Sequence, residues 1–294
     1  MSTKPKILIQ LDPDKHCSAF DAVVAVDAGV EQLMQYSSVS PSDVRNIVHG
    51  AIFTRGIEDL KSTAIFIGGA DVGKGEQLYA EAVGAFFGPM KVSVMLDSNG
   101  ANSTAAAAIL CCDRHHPLRE ATLLVAAATG PVGRRVCRMA AAMGAKVLVH
   151  SRSLEKANGL CLELGSAIGD ASSFLPVGAD NPQSIAESLD RSTALIACGA
   201  AGVQLFSSKQ LEQAKHLRIA IDLNAVPPLG IEGIKATAKG AASGSRVDYG
   251  ALGVGGLKMK IHKAAIMKLF EANHHLLDAE QMLEIGRALL SGRL

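Results

Sequence analysis

The chain has 294 residues, 48% hydrophobic and 19% charged, with 29 basic against 28 acidic side chains and a formal net charge of +1. That balance excludes a disordered chain and a global basic field of the kind that gathers nucleic acid. The length suits one large domain or two of ordinary size. With 29 Gly, no Trp, 3 Tyr and 8 Phe, helix–strand packing must rest on small and aliphatic side chains, as in many α/β enzymes.

The start, Met1 to Lys6, leads into a strand pattern rather than an apolar signal segment. Apolar stretches such as Ala105–Cys112 and Leu123–Ala128 fall short of the roughly 20 residues a bilayer span needs. The six cysteines, Cys17, Cys111, Cys112, Cys137, Cys161 and Cys198, form no C-x-x-C pair and read as buried reduced thiols. Cys112 with His115 lacks a second ligand pair, so no metal site is expected. The expectation is a cytoplasmic protein with no membrane or nucleic-acid partner.

Strand and helix patterns then alternate. Lys6–Leu11 reads as a strand, followed by a helix from about Ala19 to Tyr36. Ser40-Pro41-Ser42-Asp43 opens another helix. Ala64–Ile67 is a short buried strand, Gly75–Phe87 a helix stopped by Gly88-Pro89, Val92–Leu96 a strand and Ala101–Arg114 an Ala-rich helix. Beyond Ala121 come strand Thr122–Ala127, helix Val132–Met143, strand Lys146–His150 and helix Ser153–Leu164 with a Ser cap. Strand Phe174–Val177, a helix through Ile185–Leu189, and strands Ala194–Cys198 and Arg218–Leu223 complete the series. From Gly255 to Leu294 the pattern is helical, with Lys258 and His262 sharing a face at i, i+4. Alternation of this kind implies βαβ units around parallel sheets. The expected architecture is α/β, with two α/β domains and a Rossmann-type parallel sheet in the second. Residues 1–104 with 257–294 form the first and 105–256 the second.

The strongest local signal is Leu123 to Gly133, a strand running into Thr129-Gly130-Pro131-Val132-Gly133 and a helix. It approximates G-x-G-x-x-G with Ala128 at the first glycine, which is tolerated where φ is negative. The central Gly130 lets backbone approach a pyrophosphate, Gly133 permits close helix–strand packing, and the helix N-terminus offers free N–H groups. Thr129 can add a hydroxyl. About 20 residues on, where an NAD binder carries an acid for the ribose, the chain reads His150-Ser151-Arg152-Ser153, with Lys156 one turn later. Ser151 and the cations Arg152 and Lys156 suit the 2′-phosphate of NADP, and Ser151 also serves a free hydroxyl, so NAD stays open. Cys198-Gly199-Ala200 and Asn224, each after a later strand, are further cofactor candidates.

No side chain for acid–base work stands out. None of Tyr36, Tyr79 or Tyr249 has a Lys four residues later, and G-x-S-x-G, H-E-x-x-H and the Walker loop are absent. Either the acid–base group is hidden in the sequence, or the reaction needs none. Hydride removal from an N–CH₂–N bridge fits the second case, because it leaves an amidinium and moves no proton.

Several segments together carry a resemblance. They are Phe20-Asp21, Thr54-Arg55-Gly56, Ser62 to Phe66, Phe87-Gly88-Pro89, Met95 to Gly100, Thr129 to Gly133, Pro227 to Gly230 and Gly250 to Lys258. Over nearly its whole length the chain resembles the NAD(P)-dependent methylene-tetrahydromethanopterin/methylene-tetrahydrofolate dehydrogenases of one-carbon-metabolising bacteria. It departs from them at Ala128 and over Cys111–Glu120, where a changed loop is expected. The resemblance implies an N-terminal substrate (pterin) domain, a nucleotide domain, an active site in the cleft between them, and a homo-oligomer. It implies oxidation of a methylene-tetrahydromethanopterin carrier to the methenyl form with NADP, or NAD also, in formaldehyde oxidation, and it puts Lys258 at the active site. Asp21, Thr54, Arg55, Asp97, Asn99 and Lys260 become candidates for contact with the carrier. Asp97 and Asn99 have a donor and acceptor pattern suited to a pterin edge. Lys258, Lys260, His262 and Lys263 form a cationic cluster for its anionic tail. Two other readings stay open: a non-catalytic pterin- or NADP-binding regulator, and a shikimate-type NADP reductase using Lys61 and Asp97.

Overall fold

The computed structural model describes residues 4–179 and 181–293; Met1 to Thr3 of the N-terminal stretch and the final Leu294 lie outside them. The chain divides into two compact units, the first running to Ser103 and resuming at Met259, the second spanning Thr104–Lys258. No helix among the described residues is long and apolar enough to cross a membrane.

The first unit opens with β1 (Ile7–Leu11), α1 (Ala19–Asp27), β2 (Gln32–Tyr36), α2 (Pro41–Ile52), β3 (Thr63–Ile67), α3 (Val72–Gly84) and β4 (Ser93–Leu96). α4 (Ala101–His115) begins here and continues into the second unit. With the late strand β12 (Leu276–Leu277), the sheet order is β12-β4-β3-β1-β2, all parallel. Its central strands are fully buried apolar runs, as parallel strands covered on both faces must be. Ile9, Leu11, Ile65, Ile67, Val94 and Leu96 pack there against Val44, Val48 and Ile52 of α2 and Leu78 of α3.

The second unit contains β5 (Thr122–Ala126), α5 (Pro131–Ala142), β6 (Lys146–Ser151), α6 (Leu154–Ile168), β7 (Phe174–Gly178), α7 (Pro182–Arg191), β8 (Ala194–Ala197), α8 (Ser208–Gln213), β9 (Ile219–Asp222), β10 (Lys239–Ser243) and β11 (Arg246–Tyr249). α9 (Ala251–Lys268) then carries the chain back, and β12 (Leu276–Leu277) and α10 (Ala279–Leu290) complete the first unit. The order β10-β11-β9-β8-β5-β6-β7 is parallel except for the β10–β11 hairpin. Strand order turns at β5, with β6 and β7 on one side and β8 and β9 on the other. This is the topological switch point where doubly wound sheets bind ligands.

The structure corrects several expectations. The helix expected over Ala19–Tyr36 ends at Asp27. Gly29, at φ 84°, turns the chain, and Gln32–Tyr36 pairs in register with β1. The exposed edge strand Gln-Leu-Met-Gln-Tyr has too little apolar content to announce itself. The Gly255–Leu294 segment is not one helical run: α9 starts earlier, at Ala251, and β12 separates it from α10. Cys111–Glu120 is no loop. Cys111 to His115 complete α4, where Cys111 and Cys112 are buried, and a 3-10 turn over Leu118–Glu120 buries Leu118; burial pushes the Cys112 thiol up to about 12. The polar β10–β11 hairpin and α8 gave no clear period.

Candidate active site

In the second unit, neighbouring parallel strands deliver all the candidate cofactor residues to one edge. Val125 of β5 lies beside Val149 of β6 and Ala126 beside Ala197 of β8, while Ala197 lies beside Asp222 of β9. The turns that follow therefore emerge side by side: Thr129–Gly133 after β5, Ser151–Arg152 after β6, Cys198–Ala200 after β8 and Asn224 after β9.

The Gly130 turn is built backbone against backbone. Ala127, not Ala128, takes the left-handed conformation, φ 54°, and Ala128 N donates to His150 O at 2.9 Å. The alanine at the first-glycine position is thus relieved of any positive φ. At Gly133 a Cβ would lie 2.7 Å from Ala128 Cα and 2.8 Å from two backbone oxygens, so only glycine lets α5 start this close to β5. Gly130 caps α5 with no side-chain hydrogen bond, and Pro131 occupies the first turn. The N–H groups of Val132 and Gly133 precede the first helical hydrogen bond, Arg134 N to Gly130 O at 3.0 Å, and belong to the helix-start donors from which anion sites are built.

At the tip of β6, Ser151 is buried and accepts from Ser153 N at 3.4 Å, while Arg152 and Lys156 are exposed. The adjacent His150 is buried beside the Phe206 ring, 6.1 Å away. Neither of its ring nitrogens finds a partner among the described residues, and burial lowers its pKa. Since the folded value lies below the unfolded one, the stability His150 contributes is complete above about pH 6.5 and is lost as pH falls below it. Urea midpoints measured from about pH 7.5 down to pH 5 should therefore decline, and His150→Leu should flatten the decline. An equally steep decline in the variant would exclude His150 as its source.

Asn224 does not offer the free donor its sequence position suggested. Its Oδ1 accepts from Val226 N at 2.9 Å and its Nδ2 donates to Pro228 O at 3.1 Å, closing the loop on itself. Asp222, which sequence reasoning passed over, organises this loop: its carboxylate accepts from Asn224 N and Ile231 N, both at 3.0 Å. Burial raises its pKa against those backbone bonds. At Cys198, burial pushes the thiol up to about 12, with Asp222 adding to the rise, so it is no thiolate at neutral pH. Gly199 packs on Leu205, whose Cδ1 would lie 2.9 Å from an added Cβ, and Ala200 is exposed.

In the first unit the candidates separate. Asp21, at the head of α1, lies with Asp12 beside Gly68, where an added Cβ would meet the Asp21 carboxylate at 3.3 Å. Asn99 is exposed in a left-handed turn, φ 53°, held by Asn99 N donating to Gly69 O at 2.6 Å. Both residues follow C-terminal ends of strands. Thr54 and Arg55 do not. Arg55 Nη1 donates to Pro5 O at 3.2 Å and Ser62 O at 3.0 Å, just ahead of β1 and β3. Thr54 Oγ1 donates to Ala51 O at 3.3 Å. Arg55 thus ties the N-terminal edge of the sheet, and Thr54 bonds back to the end of α2.

Asp97 is not an open recognition edge either. It is 1% exposed, and four donors occupy its carboxylate: Asn102 N and Ser103 N at 3.0 Å on Oδ1, Ser103 Oγ at 2.6 Å and His262 Nδ1 at 2.7 Å on Oδ2. His262 therefore leaves the expected cationic cluster. Lys263 pairs with Asp27 at 2.7 Å, Lys260 is exposed and Lys258 half-buried on α9. The Lys61–Asp97 pair of a shikimate-type enzyme is excluded by register. β3 and β4 run parallel, Ala64 beside Ser93; Lys61 precedes the one and Asp97 follows the other, so more than the strand length of roughly 13 Å separates them.

Comparison with known proteins agrees with this geometry. Residues 19–99 match the family described as methylene-tetrahydromethanopterin dehydrogenase, N-terminal. The Bifunctional protein MdtA of Methylorubrum extorquens is 38% identical over 298 residues, covering 97% of this chain and 99% of that protein. The NAD(P)-dependent methylenetetrahydromethanopterin dehydrogenase of the same organism is 31% identical over 282 residues, covering 92% and 93%. Among solved structures, shikimate 5-dehydrogenase from Listeria monocytogenes, in complex with shikimate and NAD, shares the fold at a TM-score of 0.54. It is 13% identical and covers 97% of each chain. With two relatives above 30% identity across almost their entire length, the chain belongs to the methylene-tetrahydromethanopterin dehydrogenase family.

Proposed function

We propose that the chain transfers a hydride from methylene-tetrahydromethanopterin to NAD(P), giving the methenyl carrier, and that it works in the cytoplasm as a homo-oligomer, the oligomer being what the resemblance implies. In this reading residues to Ser103 and from Met259 serve the carrier, and Thr104–Lys258 serve the dinucleotide. The observation that supports it most is the Gly130 turn at the switch point of the second sheet. There the head of α5 has no side-chain cap, helix and strand meet backbone to backbone, and the following strand ends in Ser151-Arg152 with no acid.

Those features fit a dinucleotide. The N–H groups of Val132 and Gly133, with the Thr129 hydroxyl, would hold the pyrophosphate, and Arg152 and Lys156 would supply the positive charge for the 2′-phosphate of NADP. Ser151 hydrogen-bonds phosphate or free hydroxyl, so NAD is accepted as well. When bound, the nicotinamide supplies the hydride acceptor. Loss of hydride leaves a cation shared by two carrier nitrogens and releases no proton, so the chain needs no acid–base pair. Its residues contribute alignment and exclusion of water. Lys258 is the catalytic side chain, its ammonium holding the carrier by a charge-assisted hydrogen bond. Asp21, Asn99 and Lys260 contact the carrier. Thr54 and Arg55 drop out, and Asp97 acts from within.

Arg152→Ala tests the dinucleotide half. It should weaken NADP by roughly 10- to 100-fold, the worth of lost charged hydrogen bonds, and leave NAD nearly unchanged in a fluorescence titration. Equal weakening of both would remove Arg152 from the 2′-phosphate. Kinetics of tetrahydromethanopterin and tetrahydrofolate carriers with each dinucleotide then set the preferred pair.

A further inference from the structure

We propose that His262 is a positioning residue for Lys258, held by the buried Asp97 carboxylate; the inference rests on the reading of Lys258 given above. Every other partner of Asp97 is a donor, so His262 Nδ1 carries the proton and donates to Oδ2. Its Nε2 has no partner among the described residues. The ring is fully buried, with the Phe66 ring meeting it edge-on at 5.6 Å. Nothing in the proposed hydride transfer uses this imidazole, yet it is hydrogen-bonded to a buried carboxylate inside an apolar unit, where removing one partner of such a bond is costly.

Its place in the chain gives it a task. Asp97 holds the first turn of α4 through Asn102 N and Ser103 N, and the middle of α9 through His262. Asn102 Nδ2 extends the cluster to Leu96 O at 2.6 Å and Asp278 Oδ1 at 2.9 Å. α4 and α9 are the helices that begin in one unit and end in the other. The start of α9 is gripped separately. Added Cβ atoms at Gly250 and Gly253 would lie 2.2 Å from Lys235 O and 1.8 Å from Ala238 O. Lys258 sits between these grips, four residues before His262 on the same face. The His262–Asp97 bond therefore fixes the rotation of α9 about its axis, and with it the direction in which Lys258 projects.

The test uses purified full-length protein, assayed with methylene-tetrahydromethanopterin and NADP. His262→Leu should lower kcat by roughly 10- to 100-fold, the scale of a misplacement of about 1 Å, with NADP affinity unchanged by fluorescence titration. His262→Asn, whose amide can donate from the Nδ1 position, should recover most of the rate. His262→Gln, whose amide overlays Nε2 instead, should not. In the Lys258→Ala background, His262→Leu should add almost nothing. If His262→Leu fails to fold, the contrast between Asn and Gln carries the test. Equal kcat for wild type and His262→Leu, equal rates for Asn and Gln, or full additivity with Lys258→Ala would overturn the inference. A purely structural role would lower the melting temperature and leave kcat per folded molecule unaltered. Full turnover in Lys258→Ala alone would instead overturn the reading of Lys258, a separate outcome from loss there with no effect at His262.

Discussion

Lys258→Ala is expected to lower turnover by roughly 10- to 150-fold, the range set by about 1.5–3 kcal/mol for a charged hydrogen bond. NADP affinity should stay nearly constant, because the residues assigned to the dinucleotide lie at the turns after β5 and β6, not on α9. The reaction moves positive charge from nicotinamide to carrier and takes up no proton, so Lys258 has no proton to deliver and acts by holding the carrier. The loss should consequently appear in kcat and kcat/KM without a new ionisation in the pH profile. An unchanged rate would remove Lys258 from the site.

Gly133→Ala should be the most damaging methyl group in the second unit's site. The new Cβ meets Ala128 Cα at 2.7 Å and the Ala127 and Ala128 oxygens at 2.8 Å. All three belong to backbone, so no side chain can swing aside. Separating α5 from β5 costs about 3 kcal/mol or more, beyond ordinary overpacking, and displaces the N–H groups of the turn. Gly130→Ala is the matched control. Its nearest contact is 3.5 Å, its φ is −75°, and its stability should change by less than about 0.5 kcal/mol while the methyl obstructs the pyrophosphate. Urea unfolding of both variants with NADP titration separates the two effects. Wild-type stability in Gly133→Ala would contradict the close packing.

The central strands and the Gly130 turn were legible because each rests on a local pattern: continuous apolar runs such as Thr63–Ile67 and a glycine pair with strand before and helix after. What stayed hidden depends on partners distant in sequence. Gln32–Tyr36 is a strand only because β1 offers it an edge, although Gly29 marked the break. His262 looked like part of a lysine-rich surface because its partner, Asp97, lies 165 residues away. Thr54-Arg55 carries part of the resemblance, and only the folded chain shows that Arg55 also ties Pro5 and Ser62 together. At Ala127 and Ala128 only the folded backbone decides which alanine takes the positive φ.

The account stands or falls on hydride transfer without proton release. Purified protein mixed with methylene-tetrahydromethanopterin and NADP in weakly buffered solution, with a pH indicator present, should yield NADPH and methenyl product in equal amounts and leave the indicator unchanged. Binding of both ligands with no NADPH formed, or one proton released for each NADPH, would contradict it.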